Sequence, residues 1–427
     1  MIKKLMLLGL LIGTWSMVYT QPRPVLLDPA KAKDTTRSGI FDETEFIPLE
    51  TSHQSIFGII KQLVVTDKYF IILDTDTDAI LFFDKQGKFI TKYKNAPKRY
   101  RIHFIQQDKS RNALLIFSQH KNYNLTLTKL QAHLAKDQGS KPSTLVSATR
   151  LYLNDLPALR TEIVPAPAYL LANPVSLGSR KFIFSFIRSD AQNTEMQDHE
   201  LKVMNEDSVV REYFPYHTKT DSVFYGRTAH QCSFFPTLND SVLFISRPFQ
   251  PFIYRLTPDS IAAMYEIAGS KMRPAASMPN AFSFAPVDQI SFGSITISTR
   301  AGSGGSLLGS NMNTVNNFAN LERFLFFNVR QPFGNYNYYV FDKKENRLYD
   351  RSKLKADSSS FLFPLQGPVL AFDEKNIYQG LSARALFNLK KGAAKMNPQY
   401  EKTLARFYKT GKPADNPVIL RLKPKED

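Results

Sequence analysis

The chain has 427 residues, 43% of them hydrophobic and 12% aromatic, which is enough to bury a large core. It carries 55 Lys and Arg against 38 Asp and Glu, for a formal net charge of +17, and a single cysteine, Cys232. One cysteine excludes an internal disulfide, and nucleic acid is a poor partner because no recognition motif accompanies the charge.

The N-terminus reads as a targeting segment. Lys3 and Lys4 precede a short apolar run over residues 5–13, and Val18 and Thr20 precede a plausible cut before Gln21. This pattern predicts a secretory signal peptide over residues 1–20, and no later stretch is long and apolar enough to span a bilayer. No cysteine follows the apolar run, so no lipid anchor is expected there. Residues 21–44 contain Pro22, Pro24 and Pro29, lack periodicity and are expected to form an extended leader.

From Glu45 onward the chain alternates β-prone runs with turn residues. The clearest unit runs over residues 64–88, where two apolar runs flank Asp74-Thr75-Asp76-Thr77-Asp78 and the second ends in Phe83-Asp84-Lys85-Gln86-Gly87-Lys88. One strand type recurs six times, at residues 81–84, 125–130, 201–204, 252–256, 338–341 and 418–422. A repeated all-β unit predicts a six-bladed β-propeller. The units average about 63 residues, above the roughly 40–50 of a simple blade, so insertions are expected at 189–199, 270–317 and 383–411. The last of these reads as a basic helical stretch with Tyr400, Leu404 and Phe407 on one face. Phe46-Ile47-Pro48-Leu49 is expected to supply the outer strand of the last blade beside residues 418–422, closing the ring within a propeller domain of residues 45–427. Pro48 suits that edge, where its missing N–H costs no ladder bond.

The chain resembles the secreted six-bladed β-propellers of bacterial envelopes, distantly similar to NHL-type propellers. The resemblance rests on Phe46-Ile47-Pro48-Leu49-Glu50-Thr51, on residues 67–88, on Asn239-Asp240-Ser241 with Ile253-Tyr254-Arg255-Leu256, and on Asp415-Asn416-Pro417-Val418-Ile419. It implies export, and it supplies no catalytic residues.

Asp74, Asp76 and Asp78 are the candidate metal ligands, but Ala79 and Lys85 stand where a helical calcium loop needs Gly and Glu. A structural turn is the expectation, with no metal and no cofactor. The histidines His53, His103, His120, His133, His199, His217 and His230 show no zinc-binding spacing. Ser303-Gly304-Gly305-Ser306 lacks the lysine and context of a phosphate loop, and Cys232 reads as a buried apolar residue.

Innermost strands are predicted to begin near Gly58, Arg101, Ala168, His230, Asp288 and Phe363. Polar groups at these entries form the candidate ligand site: Arg101 with His103, Arg227 with His230, and Asp288. A cationic mouth of this kind suits an anionic ligand. The sequence therefore predicts an exported, monomeric binding protein of the periplasm or cell exterior, recognising a glycan, peptide or envelope protein. The alternatives are a carbohydrate-active hydrolase or lyase using carboxylates or a metal, and a scaffold of an envelope complex.

Overall fold

The structure is a computed structural model that describes residues 21–28, 30–94, 100–120, 146–164, 175–178, 181–185, 197–205, 208–217, 232–247, 250–268, 314–330, 336–361, 363 and 367–426. Ahead of the main sheets come β1 (Arg23–Leu26) and β2 (Phe41–Pro48). The first blade is β3 (Gln62–Val65), β4 (Tyr69–Asp74), β5 (Ala79–Asp84) and β6 (Phe89–Lys94). The second is β7 (Tyr100–Asp108), β8 (Ala113–His120), β9 (Val146–Tyr152) and β10 (Thr161–Val164), and the third β11 (Val175–Leu177), β12 (Lys181–Ser185), β13 (Gln197–Met204) and β14 (Val209–His217). The fourth is β15 (Ser233–Pro236), β16 (Leu243–Ser246), β17 (Phe252–Leu256) and β18 (Ile261–Ala268). The fifth is β19 (Thr314–Asn320), β20 (Phe324–Arg330), β21 (Tyr336–Asp342) and β22 (Arg347–Asp350). The sixth is β23 (Ala371–Phe372), β24 (Ile377–Leu381) and β25 (Val418–Pro424), completed on its outside by β2.

Each blade is covered on both faces by its neighbours. That is why β4 and β5 read as nearly unbroken apolar runs, with Phe70 to Leu73 and Ala79 to Phe83 all buried. Every interface has its own apolar cluster. Ile71, Phe82, Ile105 and Ile116 join the first two blades, and Phe117 meets Phe182 edge-on between the second and third.

Ring closure follows the predicted pairing. Phe46, Ile47 and Pro48 lie opposite Leu420, Ile419 and Val418 in antiparallel register, and the strand extends back to Phe41. Asn416, fully buried, fastens the seam. Its side chain donates to the carbonyls of Glu50 at 2.7 Å and Ser55 at 3.0 Å and accepts from the Phe57 N–H at 2.9 Å. Gly87 takes φ +83°, and a Cβ there would lie 2.3 Å from the Pro48 carbonyl oxygen, so the first blade's turn can meet the closing strand only through glycine.

The helical insertion consists of α1 (Ala383–Ala393), capped by Ser382, and α2 (Lys402–Thr410), capped by Glu401. Leu386, Leu404, Phe407 and Tyr408 pack on Phe46, Val418 and Leu420 of the last blade. No helix among the described residues is long and apolar enough to cross a membrane.

Three expectations need correction or extension. The third strand of the second blade is β9, not residues 125–130, which lie outside the described residues. The innermost strand of the fifth blade is β19, well after Asp288. The leader is docked: β1 adds a fifth, parallel strand to β18, and Val25 and Leu27 are buried between the fourth and fifth blades. Its buried apolar residues Val25, Leu27 and Ala32 are too few and too unevenly spaced to make a period, so periodicity could not reveal it.

Replacing Asn416 with Ala leaves a buried N–H and two carbonyls unpaired at the seam. Denaturant unfolding should show a loss of roughly 2–4 kcal/mol. An unchanged midpoint would show that the seam does not depend on this side chain.

Candidate functional site

The six innermost strands surround a central cavity of about 1300 Å³. Its wall is held by side chains that reach from one blade to the next. The Gln62 amide donates to the Ile105 carbonyl and accepts from the Ile105 N–H at 2.9 Å. One blade on, Gln106 repeats the pattern with the Ser176 carbonyl and N–H, both at 2.8 Å. Ser246 donates to the Val315 carbonyl at 2.9 Å. These bonds pair inner-edge backbone groups that the sheets leave unpaired, which fixes the wall.

Two β-bulges break the wall's regularity. In β7 the register shifts between Ile102 and Phe104, so His103 is the extra residue and stands exposed in the cavity wall. In β19 the register shifts between Asn316 and Ala319, and Asn317 takes φ 49° and is also exposed to the cavity. Bulges redirect side chains and cluster at functional positions. The second and fifth blades are opposite one another in a ring of six, so the imidazole and the amide come from opposing walls. His103 is reachable by water yet ringed by protein. Desolvation, and then the charge of Lys61, lower its pKa below the usual 6.5.

At the end where the innermost strands leave the cavity, the connections are short turns, none longer than the eight residues 153–160. One of them, over 237–242, reaches across the third blade. The Asp240 carboxylate accepts from the Lys109 N–H at 2.6 Å and the Ser110 N–H at 3.3 Å, and its carbonyl accepts from the Gly178 N–H at 2.7 Å. Burial outweighs these bonds and raises the Asp240 pKa. Asp373 is likewise engaged by Tyr378, Asn376 and the Lys375 N–H. Among the described residues, the exposed charges lining the cavity are Lys61, Lys68, Lys109 and Lys375 against Asp67 and Glu374, a cationic balance.

The long connections all join strands at the opposite, entry end, namely 121–145, 165–174, 218–232, 269–313, 351–370 and 382–417, beside short ones such as 75–78 and 247–251. Arg101 opens β7 at this end and is exposed, two residues before His103. Arg227 and His230 fall in the connection from β14 to β15, and Asp288 in that from β18 to β19, so all three lie outside the described residues. Asp74, Asp76 and Asp78 form the hairpin turn from β4 to β5. Asp74 is buried and caps the N–H groups of Asp76 and Thr77 at 3.2 Å each, and Asp78 accepts from the Ile102 N–H of the next blade at 2.8 Å. Among the described residues no group of three or more His, Cys, Asp or Glu is placed to hold a metal ion. Cys232 is buried, with its sulfur 3.9 Å from the Glu200 carboxylate. Asn317 escaped the sequence reading, because an isolated Asn before an apolar run is also an ordinary turn residue.

Residues 25–98 match a family described as a 6-bladed beta-propeller. The protein is a six-bladed β-propeller. A Bacteroides fragilis structure described as a "Putative exported protein" aligns with a TM-score of 0.59 at 12% identity, covering 94% of this chain and 100% of that one. A Bacteroides vulgatus protein follows at 0.39 and 9%, covering 90% and 99%, and an oligogalacturonate lyase from Vibrio parahaemolyticus at 0.35 and 10%, covering 88% and 79%. At these identities the likeness is one of fold. No curated protein sequence matches the chain.

The depressed His103 pKa gives this propeller a signed pH dependence. Between the unfolded value of 6.5 and the lower folded value, the unfolded chain binds the proton first, so stability falls as pH drops through that window and is level above it. Melting temperature from pH 8 to pH 5 should fall further in the wild type than in His103→Gln. Parallel curves would place the imidazole in an ordinary solvent setting.

Proposed function

We propose that this protein is an exported binding protein that takes an anionic glycan, or an anionic segment of an envelope partner, at its channel. The observation that supports this most is the distribution of charge around the cavity. The half-buried carboxylates Asp240 and Asp373 are used up in holding turns together, whereas the lysines stay exposed. A concave wall with apolar stretches and a few convergent polar groups is the usual form of a ligand site. His103 and Asn317 supply directional hydrogen bonding within it, and the exposed lysines supply attraction at longer range. Arg101, exposed near the start of β7, belongs to the proposed site, and the proposal extends to Arg227, His230 and Asp288. Short turns at one end and long connections at the other favour the entry end as the recognition face, since variable loops on a rigid frame carry specificity.

Export is part of the proposal. Protein recovered outside the cytoplasm should begin at or near Gln21, and N-terminal sequencing that returns intact Met1 would remove it.

Binding is tested by calorimetry on residues 21–427 with uronic-acid oligosaccharides, their neutral counterparts and an acidic peptide. An anionic ligand should bind with an affinity that falls as salt rises, and His103→Ala and Lys61→Ala should each weaken it about tenfold, equivalent to roughly 1.4 kcal/mol. Equal binding of neutral and anionic sugars, or wild-type affinity in both variants, would overturn the charge-based reading.

A further inference from the structure

The insertion between β24 and β25, residues 382–417, carries eight Lys and Arg against two acids, Glu401 and Asp415. Both carboxylates are spent on the backbone. Glu401 accepts from the N–H groups of Thr403 and Leu404 at 2.9 Å each, and Asp415 from the Lys412 N–H at 2.7 Å. The basic residues that follow are matched differently. Arg421, Lys423 and Lys425 pair across the seam with Glu45, Glu43 and Asp42, whereas among the described residues none of the eight cations of the insertion joins an ion pair. The eight are also ordered in space. Leu386, Leu404, Phe407 and Tyr408 turn inward onto the sixth blade, and the Tyr408 hydroxyl donates to the Leu386 carbonyl at 3.1 Å, which ties α2 to α1. On the outer side of α2, Lys402, Arg406 and Lys409 recur at i, i+4 and i+7 and are all exposed. Arg384 and Lys391 are exposed on α1 at seven-residue spacing, and exposed Lys395 follows in the turn between the helices. Helix stability does not account for this arrangement. Arg384 and Lys402 stand in first turns, where the helix dipole disfavours a cation, and neither helix has an acidic residue in its first turn. Met396, 56% exposed, lies beside Lys395.

We propose that this basic face docks the protein onto an anionic phospholipid surface. Stripes of lysine and arginine on a fixed frame are attracted to a surface whose negative charge is spread out. The exposed Met396 beside them favours a bilayer over a soluble polyanion, because only the bilayer offers its side chain an apolar place. The apolar sides of both helices are already used against the sixth blade, so the attraction is mainly electrostatic and the docking reversible. No residue of either helix lines the central cavity. The docking surface is therefore separate from the channel, and its fate and that of the binding proposal are independent.

The test sediments residues 21–427 with vesicles of phosphatidylcholine alone and of phosphatidylcholine mixed with phosphatidylglycerol. Dextran sulfate in solution serves as the competing polyanion. The wild type should bind the mixed vesicles, leave the neutral ones, and come off as salt rises. Lys402→Gln, Arg406→Gln and Lys409→Gln combined should weaken vesicle binding at least about tenfold. Arg384→Gln with Lys391→Gln, on the other helix, should weaken it independently. Both sets change exposed side chains and should melt close to the wild type, which separates lost docking from lost folding. Met396→Ser, which leaves the charge unchanged, should lower vesicle binding and leave dextran sulfate binding as it was. Equal recovery with neutral and anionic vesicles, or wild-type binding by both charge variants, would overturn the proposal. So would dextran sulfate bound through these same cations by a protein that does not sediment with the vesicles.

Discussion

The fold depends on one pairing, that of β2 with β25 across the seam of the ring. A propeller without closure would present a free sheet edge at each end of the chain and leave the interface between the sixth and first blades half covered. Here the first long strand of the domain completes the last blade. Asn416 then ties the start of β25 to the loop that leads into the first blade. Because the seam joins residues nearly 380 positions apart, its loop-closure cost falls on a contact that forms only once the ring is nearly built.

Closure in turn makes a rigid channel. The amides of Gln62 and Gln106 act as substitute backbone, each filling the donor and acceptor that the next blade's inner strand offers. A wall held this way can tolerate bulges, and the two on opposite sides put His103 and Asn317 where a regular ladder would have put neither. The asymmetry of the connections adds a direction to the molecule. Tight hairpins close one end, and their carboxylates are used to hold turns and span blades. The long connections all join strands at the other end.

Much of this could be read in the residues themselves. Strands covered on both sides must be apolar throughout, so β4, β5, β20 and β21 stand out. Turns such as Asp84-Lys85-Gln86-Gly87 punctuate them with side-chain caps and a positive φ. The second blade resisted because residues 125–130 alternate like a strand in the span where the third strand was expected, while β9 begins some twenty residues later. The leader resisted because four residues pairing in parallel with β18 need no amphipathic period of their own. His103 was legible as a polar group on an inner strand. Asn317 was not.

The sequence by itself determined the number of blades, the strand type and the partners at the seam, because these follow from local properties: apolar runs set by two-sided burial, turn chemistry and the spacing of repeats. Only the tertiary structure decided which polar groups are free and which are engaged. Asp74, Asp240 and Asp373 have the composition of a site and serve as structure. Lys33 and Leu348, more than three hundred residues apart, have no pattern in the chain and meet only because the leader crosses the fifth blade. Hydrogen bonding and desolvation are properties of neighbours in space, and the chain carries no local record of them.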